Sequence, residues 1–434
     1  MDKSQLEAYN ACVYGDKSVF CTGGAGCGKS FVLSNVVKRL RAKYNTYPGA
    51  VVVTASTGSA AFLIHGITLH RFAGVGIEEN NLELMIGKAK SKINARNWRR
   101  VKILIIDEIS MISSTLLDNL SLVAQRIRAN NEPFGGIRLL LFGDFLQLPP
   151  ISFLGFRGHI SRAFESTVWA DLNMKVIDLK GHNRYGNNFV LADVLSRLRK
   201  GSHNVEDTNY IKNLVRTVTY EDSIEPVRLY ARKDKVSRYN SYRLSQLKTE
   251  CVVLESTDIG TESLLSQCPV EKNLQLKIGA QVMLVRNINN VLVNGSVGTL
   301  VEFEKGEKGN MIPIVNIVTR NSRIIRYKAD PVEWSAENAL GNVAAIRNQV
   351  PLILAWAITI HKSQGRTIPR VIVDMEGVFE EGQCYVALSR CPDDSKMQVL
   401  NFKESYIMTN AKCVEFYASM SDNNPATGVA TYTE

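Results

Sequence analysis

No stretch of the 434 residues stays apolar for the roughly 18–20 positions that a membrane-spanning helix needs, so no membrane partner is expected. The opening Met1-Asp2-Lys3-Ser4-Gln5-Leu6-Glu7 carries early acids and no apolar run. It is neither a secretory signal nor an Arg-rich transit peptide, and an intracellular location is expected. Cysteine is scarce, eight in the chain, and no two stand in a C-x-x-C pair. A zinc site is therefore not expected, and the spread suits free thiols in a reducing compartment. Acids are in deficit: 42 Asp and Glu against 52 Lys and Arg leave a formal charge of +10. That excess favours a polyanionic partner without proving one. Apolar side chains are not scarce, at 45% of the chain, which excludes disorder as the dominant state. At about 100–200 residues per domain, the length suits two to four domains.

The first third alternates strand and helix. Val51 to Val53, Ile103 to Ile106 and Leu139 to Phe142 are short unbroken apolar runs, as expected of strands buried on both faces of a parallel sheet. Leu33, Val36, Val37 and Leu40 recur at helical spacing, as do Leu116, Leu120, Val123 and Ile127. The pattern predicts an α/β layered domain. From about Cys251 to Ala345 the signal is of short strands. Asn294-Gly295 lies between Val291-Leu292-Val293 and Val297, which predicts a tight hairpin. Ile353 to Ile358 and Val371 to Asp374 read as two further strands that restore the α/β character. Ser419 to Glu434 is polar and reads as a loose tail.

Gly23-Gly24-Ala25-Gly26-Cys27-Gly28-Lys29-Ser30 fits G-x-x-x-x-G-K-[ST] between the apolar run Val19-Phe20-Cys21 and a helix. Glycines let backbone N–H groups wrap a phosphate, and the helix start adds positive potential. Lys29 would reach the β- and γ-phosphates and Ser30 would hold magnesium. Leu104-Ile105-Ile106-Asp107-Glu108 is an apolar strand ending in two acids, at the end of a strand where α/β sheets bind ligands. Asp107 would hold magnesium through water, and Glu108 would orient or deprotonate the attacking water. Beside a phosphate loop this outweighs the alternative of an acid pair at a helix start. Gln147, in Gly143-Asp144-Phe145-Leu146-Gln147-Leu148-Pro149-Pro150, could sense the γ-phosphate on a proline-stiffened loop. Together these motifs predict hydrolysis of a nucleoside triphosphate.

Other segments are open on their chemistry alone. Arg184 and Arg390 could be arginines delivered to the phosphates or ordinary surface arginines. Thr359-Ile360-His361-Lys362-Ser363-Gln364-Gly365 suits contacts to phosphates and sugars, or a capped helix start. Thr57, His70 and Phe72 follow the strand at 51–53, and Phe72 could stack on a base or sit in the core. Lys88 to Lys102 contains Lys88, Lys90, Lys92, Arg96, Arg99, Arg100 and Lys102, no acid, and Trp98. It could track a nucleic-acid backbone or be a solvated helix face.

As a set, these segments resemble the petite integration frequency (PIF) family of DNA helicases, in the 5′-to-3′ branch of helicase superfamily one. The resemblance runs from about Gln5 to about Phe402. Its most specific part links Asp107-Glu108-Ile109-Ser110-Met111-Ile112, Pro133-Phe134-Gly135-Gly136-Ile137 and the loop Gly143 to Pro150. Gly66 to Gly74, Asn294-Gly295 with Gly298, Thr359 to Gly365 and Gly382 to Arg390 are similar to further family segments. The family often has Arg-Gln where this chain has Arg184-Tyr185.

The resemblance implies an α/β fold of two RecA-like domains that sandwich ATP, with a small wedge insert and an SH3-like β insert. The implied boundaries are 1–177 for the first RecA-like domain, with the wedge at about 74–97. The second takes 178–250 and 346–414, the β insert 251–345 and the tail 415–434. Gln5 would read adenine. Gly23 to Ser30, Phe31 and Gly365 would line the nucleotide, with ATP and Mg2+ as cofactors. Arg184 and Arg390 would be the two arginine fingers. Thr57, His70, Phe72, Thr359, His361 and Lys362 would grip single-stranded DNA. The implied activity is 5′-to-3′ translocation and unwinding of duplex or structured DNA, by a monomer or a transient dimer on DNA. It would serve replication, repair, recombination or telomere maintenance, in the nucleus if the source is a eukaryote or a nuclear virus, or in the cytoplasm if it is a bacterium or phage. A small-molecule phosphotransferase is a rival, as is a nucleic-acid-dependent ATPase or switch that does not separate strands.

Overall fold

The computed structural model describes all residues except 76–80, 151–160, 182–183, 187, 221–224, 266–267, 290, 307–308, 319–322, 338–342 and 422–434. The chain divides into two compact units: Met1–Asn183 with Ser335–Ala344 and Asn410–Glu434, and Arg184–Trp334 with Ala345–Thr409. Among the described residues no helix is long and apolar enough to cross a membrane.

The first unit is built on six strands: β1 (Val19–Thr22), β2 (Val51–Ala55), β3 (Ile67–Thr68), β4 (Ile103–Asp107), β5 (Arg138–Phe142) and β6 (Lys175–Asp178). They lie in the order β3-β2-β4-β5-β1-β6, and every pairing is parallel. The unbroken apolar runs are explained by the period of two along a strand. Phe20, Leu104, Ile106, Leu139 and Leu141 enter one core. Val19, Cys21, Ile103, Ile105, Leu140 and Phe142 enter the other, on the opposite face. Helices Lys3–Tyr14 and Lys29–Lys43 cover the second core with Ala8, Cys12, Val32, Leu33, Val36 and Leu40. Helix Ser114–Arg128 covers the first with Leu116, Leu117, Leu120, Val123 and Ile127.

The segment expected to form a wedge is described apart from 76–80, and helices Leu82–Ala89 and Lys92–Arg100 cover most of it. Met85, Ile86, Ala89, Ala95 and Trp98 of these helices join the first core. The seven basic side chains between Lys88 and Lys102 are all exposed, whereas Trp98 is buried.

The second unit carries a four-stranded parallel sheet in the order Ala357–Thr359, Val227–Tyr230, Val371–Asp374, Met397–Leu400. Its β-rich part is a five-stranded antiparallel sheet ordered Ile324–Lys328, Met311–Val318, Val297–Lys305, Gln281–Leu284, Leu352–Leu354. The Asp258–Arg347 pair belongs to this unit. Arg347 donates to both Asp258 oxygens, Nε at 3.0 Å and a terminal nitrogen at 2.7 Å. That bidentate contact holds the Asp258 carboxyl below its usual range. Its stabilisation is present above the ordinary Asp value of about 4 and is lost as pH falls through the depressed folded value. Asp258→Asn should therefore lower the denaturation midpoint at pH 7 and show a smaller further loss than wild type at pH 3. Denaturant titrations at the two pH values check this.

Three expectations are corrected by the fold. Ile353 to Ile358 is not one strand. Leu352–Leu354 pairs with Gln281–Leu284, whereas Ala357–Thr359 pairs with Val227–Tyr230. Ala355 and Trp356 make the crossing, with Ala355 N–H bonded to Gln281 O and Trp356 O accepting from Arg228 N–H. Asn294-Gly295 does form a tight turn, with Ser296 N–H bonded to Val293 O at 3.0 Å, but Val291 to Val293 is not a strand and the turn closes no hairpin. Met283 pairs directly with Val297, and the intervening residues form a longer connection. Gly295, with φ of 96°, turns under Thr367, whose carbonyl oxygen a Cβ would strike. The stretch from 415 is not all tail. Ala411–Ser421 is a helix whose Phe416, Tyr417 and Met420 pack on the first core. The rest of the stretch, 422–434, lies outside the described residues.

Candidate active site

The loops after β4, β5 and β1 leave the carboxyl ends of adjacent strands, the place where parallel sheets hold ligands. After β1 comes the glycine loop. Gly26 and Gly28 have φ of 84° and 97°, conformations that suit glycine. A Cβ at Gly23 would lie 2.7 Å from the Leu179 carbonyl oxygen and 2.8 Å from Cys27 Sγ. Gly28 starts helix Lys29–Lys43 with no side-chain cap and no acid in the first turn. The first N–H groups and the positive end of that helix are thus presented to an anion. Lys29 Nζ folds back on the loop, 2.6 Å from Gly23 O and 3.0 Å from Gly24 O. Ala25 and Cys27 are buried, and Ser30 and Phe31 are exposed. Gln5 lies beneath this loop. Its Nε2 donates to Cys27 O at 3.0 Å, and its Oε1 accepts from Asp2 N–H at 3.1 Å in a capping box.

At the end of β4, Asp107 Oδ1 accepts from the Glu108 N–H at 2.9 Å. Burial, then the neighbouring Glu108 charge, pushes the Asp107 carboxyl above its usual range, against the opposing pull of Lys29. A divalent cation would relieve that penalty. One carboxylate and the Ser30 hydroxyl, with phosphate oxygens and water completing the shell, is a donor set that suits Mg2+. Glu108 itself has φ of 53°, a left-handed conformation that costs a non-glycine residue about 1–3 kcal/mol and clusters at functional sites.

At the end of β5, Gly143 N–H bonds to Cys21 O at 3.2 Å, which ties this loop to β1. Asp144 is fully buried. Its Oδ2 accepts from Gln147 Nε2 at 3.0 Å, and its Oδ1 accepts from Leu146 N–H at 3.2 Å. The structure therefore brings Lys29, Asp107, Glu108 and Gln147 to one edge of one sheet.

In the second unit, Arg184 and Arg390 meet at Ser389. Arg184 donates to Ser389 O at 2.9 Å and to Thr367 Oγ1 at 3.0 Å. Arg390, buried, donates to Ser389 Oγ at 2.6 Å, Val386 O at 2.7 Å and Ser363 O at 3.3 Å. His182 and Asn183, just before Arg184, lie outside the described residues. Gly365 has φ of 75° and open space where a Cβ would stand.

The expected strand-contact residues fall into two groups. His361 and Lys362 reach the surface of the second unit, where His361 Nε2 is 2.9 Å from Glu380 Oε2. His70 is half-buried in the first unit. The hydroxyls are engaged locally: Thr57 accepts from Ala60 N–H at 3.3 Å and Thr359 from Lys362 N–H at 3.1 Å, each as a helix cap. Phe72 is a correction. Its ring is fully buried against Trp98, centroids 4.8 Å apart, and cannot offer a face to a base. Phe72→Ala should cost about 3–5 kcal/mol of stability as a core truncation. Strand affinity per folded molecule should not change. Denaturation and a strand-binding titration on the folded fraction check both.

Sequence reasoning quoted Asp144 and Ser389 without giving them roles, and missed Tyr417 and Glu380. Spacing carries no sign of Tyr417, whose contact with Asp144 spans 273 positions.

A family model described as PIF1-like helicase matches residues 1–208, and one described as DNA helicase Pif1, 2B domain, matches 261–303. The chain is also similar to the Pif1 helicase of Candida albicans, known as a crystal structure. The two are 37% identical, with a TM-score of 0.75 covering 97% of this chain and 99% of the other. The chain belongs to the PIF1-like helicase family. Two other members are named ATP-dependent DNA helicase PIF1. That of Emericella nidulans is 36% identical over 470 residues, 96% of this chain and 63% of its own length. That of Homo sapiens is 36% identical over 427 residues, 97% of this chain and 64% of its own length. This PIF1-like chain thus spans less than two thirds of either relative. Two parallel sheets flanked by helices are the family's RecA-like architecture, as expected.

Proposed function

We propose that the chain is an ATP-dependent DNA helicase that moves 5′-to-3′ along single-stranded DNA and separates duplex or structured DNA. The observation that carries this reading is the convergence of Lys29, Asp107-Glu108 and Gln147 on adjacent strand ends, in a chain of this family. Lys29 and the first N–H groups of its helix bind the phosphates. Ser30 and Asp107 would hold Mg2+, which when bound neutralises phosphate charge. Glu108 orients the attacking water and takes its proton, and Gln147 positions that water against the γ-phosphate. Gln5 reads the adenine, with Phe31 and Gly365 also lining the nucleotide. Its amide must exchange its contact with Asp2 or Cys27 to do so.

Arg184 and Arg390 are assigned as arginine fingers, stabilising charge as the phosphoryl group transfers. Ser389, between them, would release them toward the phosphates as the cycle turns. His70, His361 and Lys362 grip the strand backbone, with Thr57 and Thr359 shaping the caps beside them. The exposed basic face from Lys88 to Lys102 offers a further phosphate track. Replication, repair, recombination and telomere maintenance are the processes this activity would serve, by a monomer or a transient dimer on DNA. The location would be nuclear in a eukaryote and cytoplasmic in a bacterium.

ATP turnover with and without single-stranded DNA tests the reading. Strong stimulation by the strand is expected. Strand-independent turnover that phosphorylates a small molecule would replace the helicase with a phosphotransferase.

A further inference from the structure

Helix Ala411–Ser421 contains no nucleotide motif, yet one of its side chains joins two of the loops that do. Thr22, the residue before Gly23, has its Oγ1 2.6 Å from the Tyr417 hydroxyl. Phe145 N–H donates to the same hydroxyl at 3.1 Å. That hydroxyl donates to Asp144 Oδ1 at 3.3 Å, and the other Asp144 oxygen holds the Gln147 amide at 3.0 Å. A chain of hydrogen bonds therefore runs Thr22–Tyr417–Asp144–Gln147, from the root of the phosphate loop to the amide assigned above to the attacking water.

The helix is anchored independently of this chain. Phe416 stacks on Phe164 with centroids 4.3 Å apart and meets Phe20, Phe145 and Trp169 edge-on or tilted. Cys413 is buried in the same core, and Lys412 pairs with Glu165 at 3.5 Å. Aromatic packing thus holds the backbone while the hydroxyl selects the geometry. Hydrogen bonds in a buried network polarise one another, so loss of a shared member loosens the rest.

We propose that Tyr417 is a positioning residue for ATP hydrolysis, fixing Asp144, and through it Gln147, against the phosphate loop. This rests on the ATP-hydrolysing reading above. It touches neither nucleotide nor water itself. Its hydroxyl accepts from Phe145 N–H and presents its proton to Asp144, so the carboxylate keeps both oxygens directed and the Gln147 amide keeps one orientation. Small displacements of a positioning group cost rate far more than they cost binding.

Tyr417→Phe keeps the ring and removes the hydroxyl. In strand-stimulated ATPase assays kcat should fall about 10–100-fold. KM, nucleotide affinity and melting temperature should stay near wild type. Gln147→Ala should show a similar loss, and the double variant should be no slower than Gln147→Ala alone, because both act through one group. Unchanged kcat in Tyr417→Phe, or losses that multiply in the double variant, would overturn the proposal. If Tyr417→Phe does not fold, Thr22→Val probes the other end of the chain. A matching kcat loss there supports the proposal, and unchanged kcat overturns it. Wild-type turnover that Lys29→Ala abolishes confirms the underlying reading separately. Absence of wild-type turnover would overturn that reading and this proposal together, whereas turnover with a silent Tyr417→Phe overturns this proposal alone.

Discussion

Lys29→Ala is expected to reduce strand-stimulated ATP turnover by at least about 10²–10³-fold, the loss typical of removing one preorganised transition-state donor, and to abolish unwinding. The reason is local. Lys29 Nζ lies 2.6 Å and 3.0 Å from two loop carbonyls, at the first turn of a helix that has no acid and no side-chain cap to compete for an anion. The ammonium is the side-chain charge that this loop brings to the phosphates. The side chain is half-exposed, so its removal should leave the fold intact. A cooperative melting transition near wild type, beside lost turnover, is the expected pair of results. Retained unwinding would contradict the mechanism.

Arg390→Lys is expected to lower turnover on the order of 10³-fold or more, the range for losing an arginine finger, with strand binding retained. Lysine keeps the charge but lacks the planar fork that serves several acceptors at once. Arg390 donates to Ser389, Val386 and Ser363 within its own unit. Truncation to alanine would leave those buried acceptors short and confuse folding with catalysis. The lysine variant limits that effect. Arg184→Lys, at a less buried side chain that also bonds Ser389, is the companion measurement. Single-turnover hydrolysis, with nucleotide and strand affinities measured on the same preparations, separates the causes. Full turnover in Arg390→Lys would remove the finger assignment.

Much of the nucleotide edge was legible because its chemistry is contiguous. The glycine loop needs backbone freedom at fixed offsets, and Asp107-Glu108 ends an apolar strand, so motif and strand signal reinforce each other. Residues 353–358 were less legible because an unbroken apolar run gives no mark where it leaves one sheet for another. The crossing at Ala355 and Trp356 is fixed by bonds to Gln281 and Arg228, both distant in sequence. Phe72 could be read as stacking face or core residue, a lone phenylalanine being more often core. The deciding contact with Trp98 comes from a helix that the sequence marked as basic. Hydroxyls at Thr57 and Thr359 suit phosphate contact and helix capping alike, and capping is what the local geometry uses. Tyr417 was invisible for another reason. It lies in the stretch from 415 that was assigned to the tail, and its partners Thr22 and Asp144 come from strand ends brought beside it only by the fold.

The central claim is a 5′-to-3′ motor, and it is tested most directly by unwinding duplexes with a single-stranded tail on either the 5′ or the 3′ end, with ATP and magnesium. Unwinding of the 5′-tailed duplex alone, absent in Lys29→Ala, is the predicted result. Unwinding of only the 3′-tailed duplex, or of neither despite strand-stimulated ATP turnover, would contradict it.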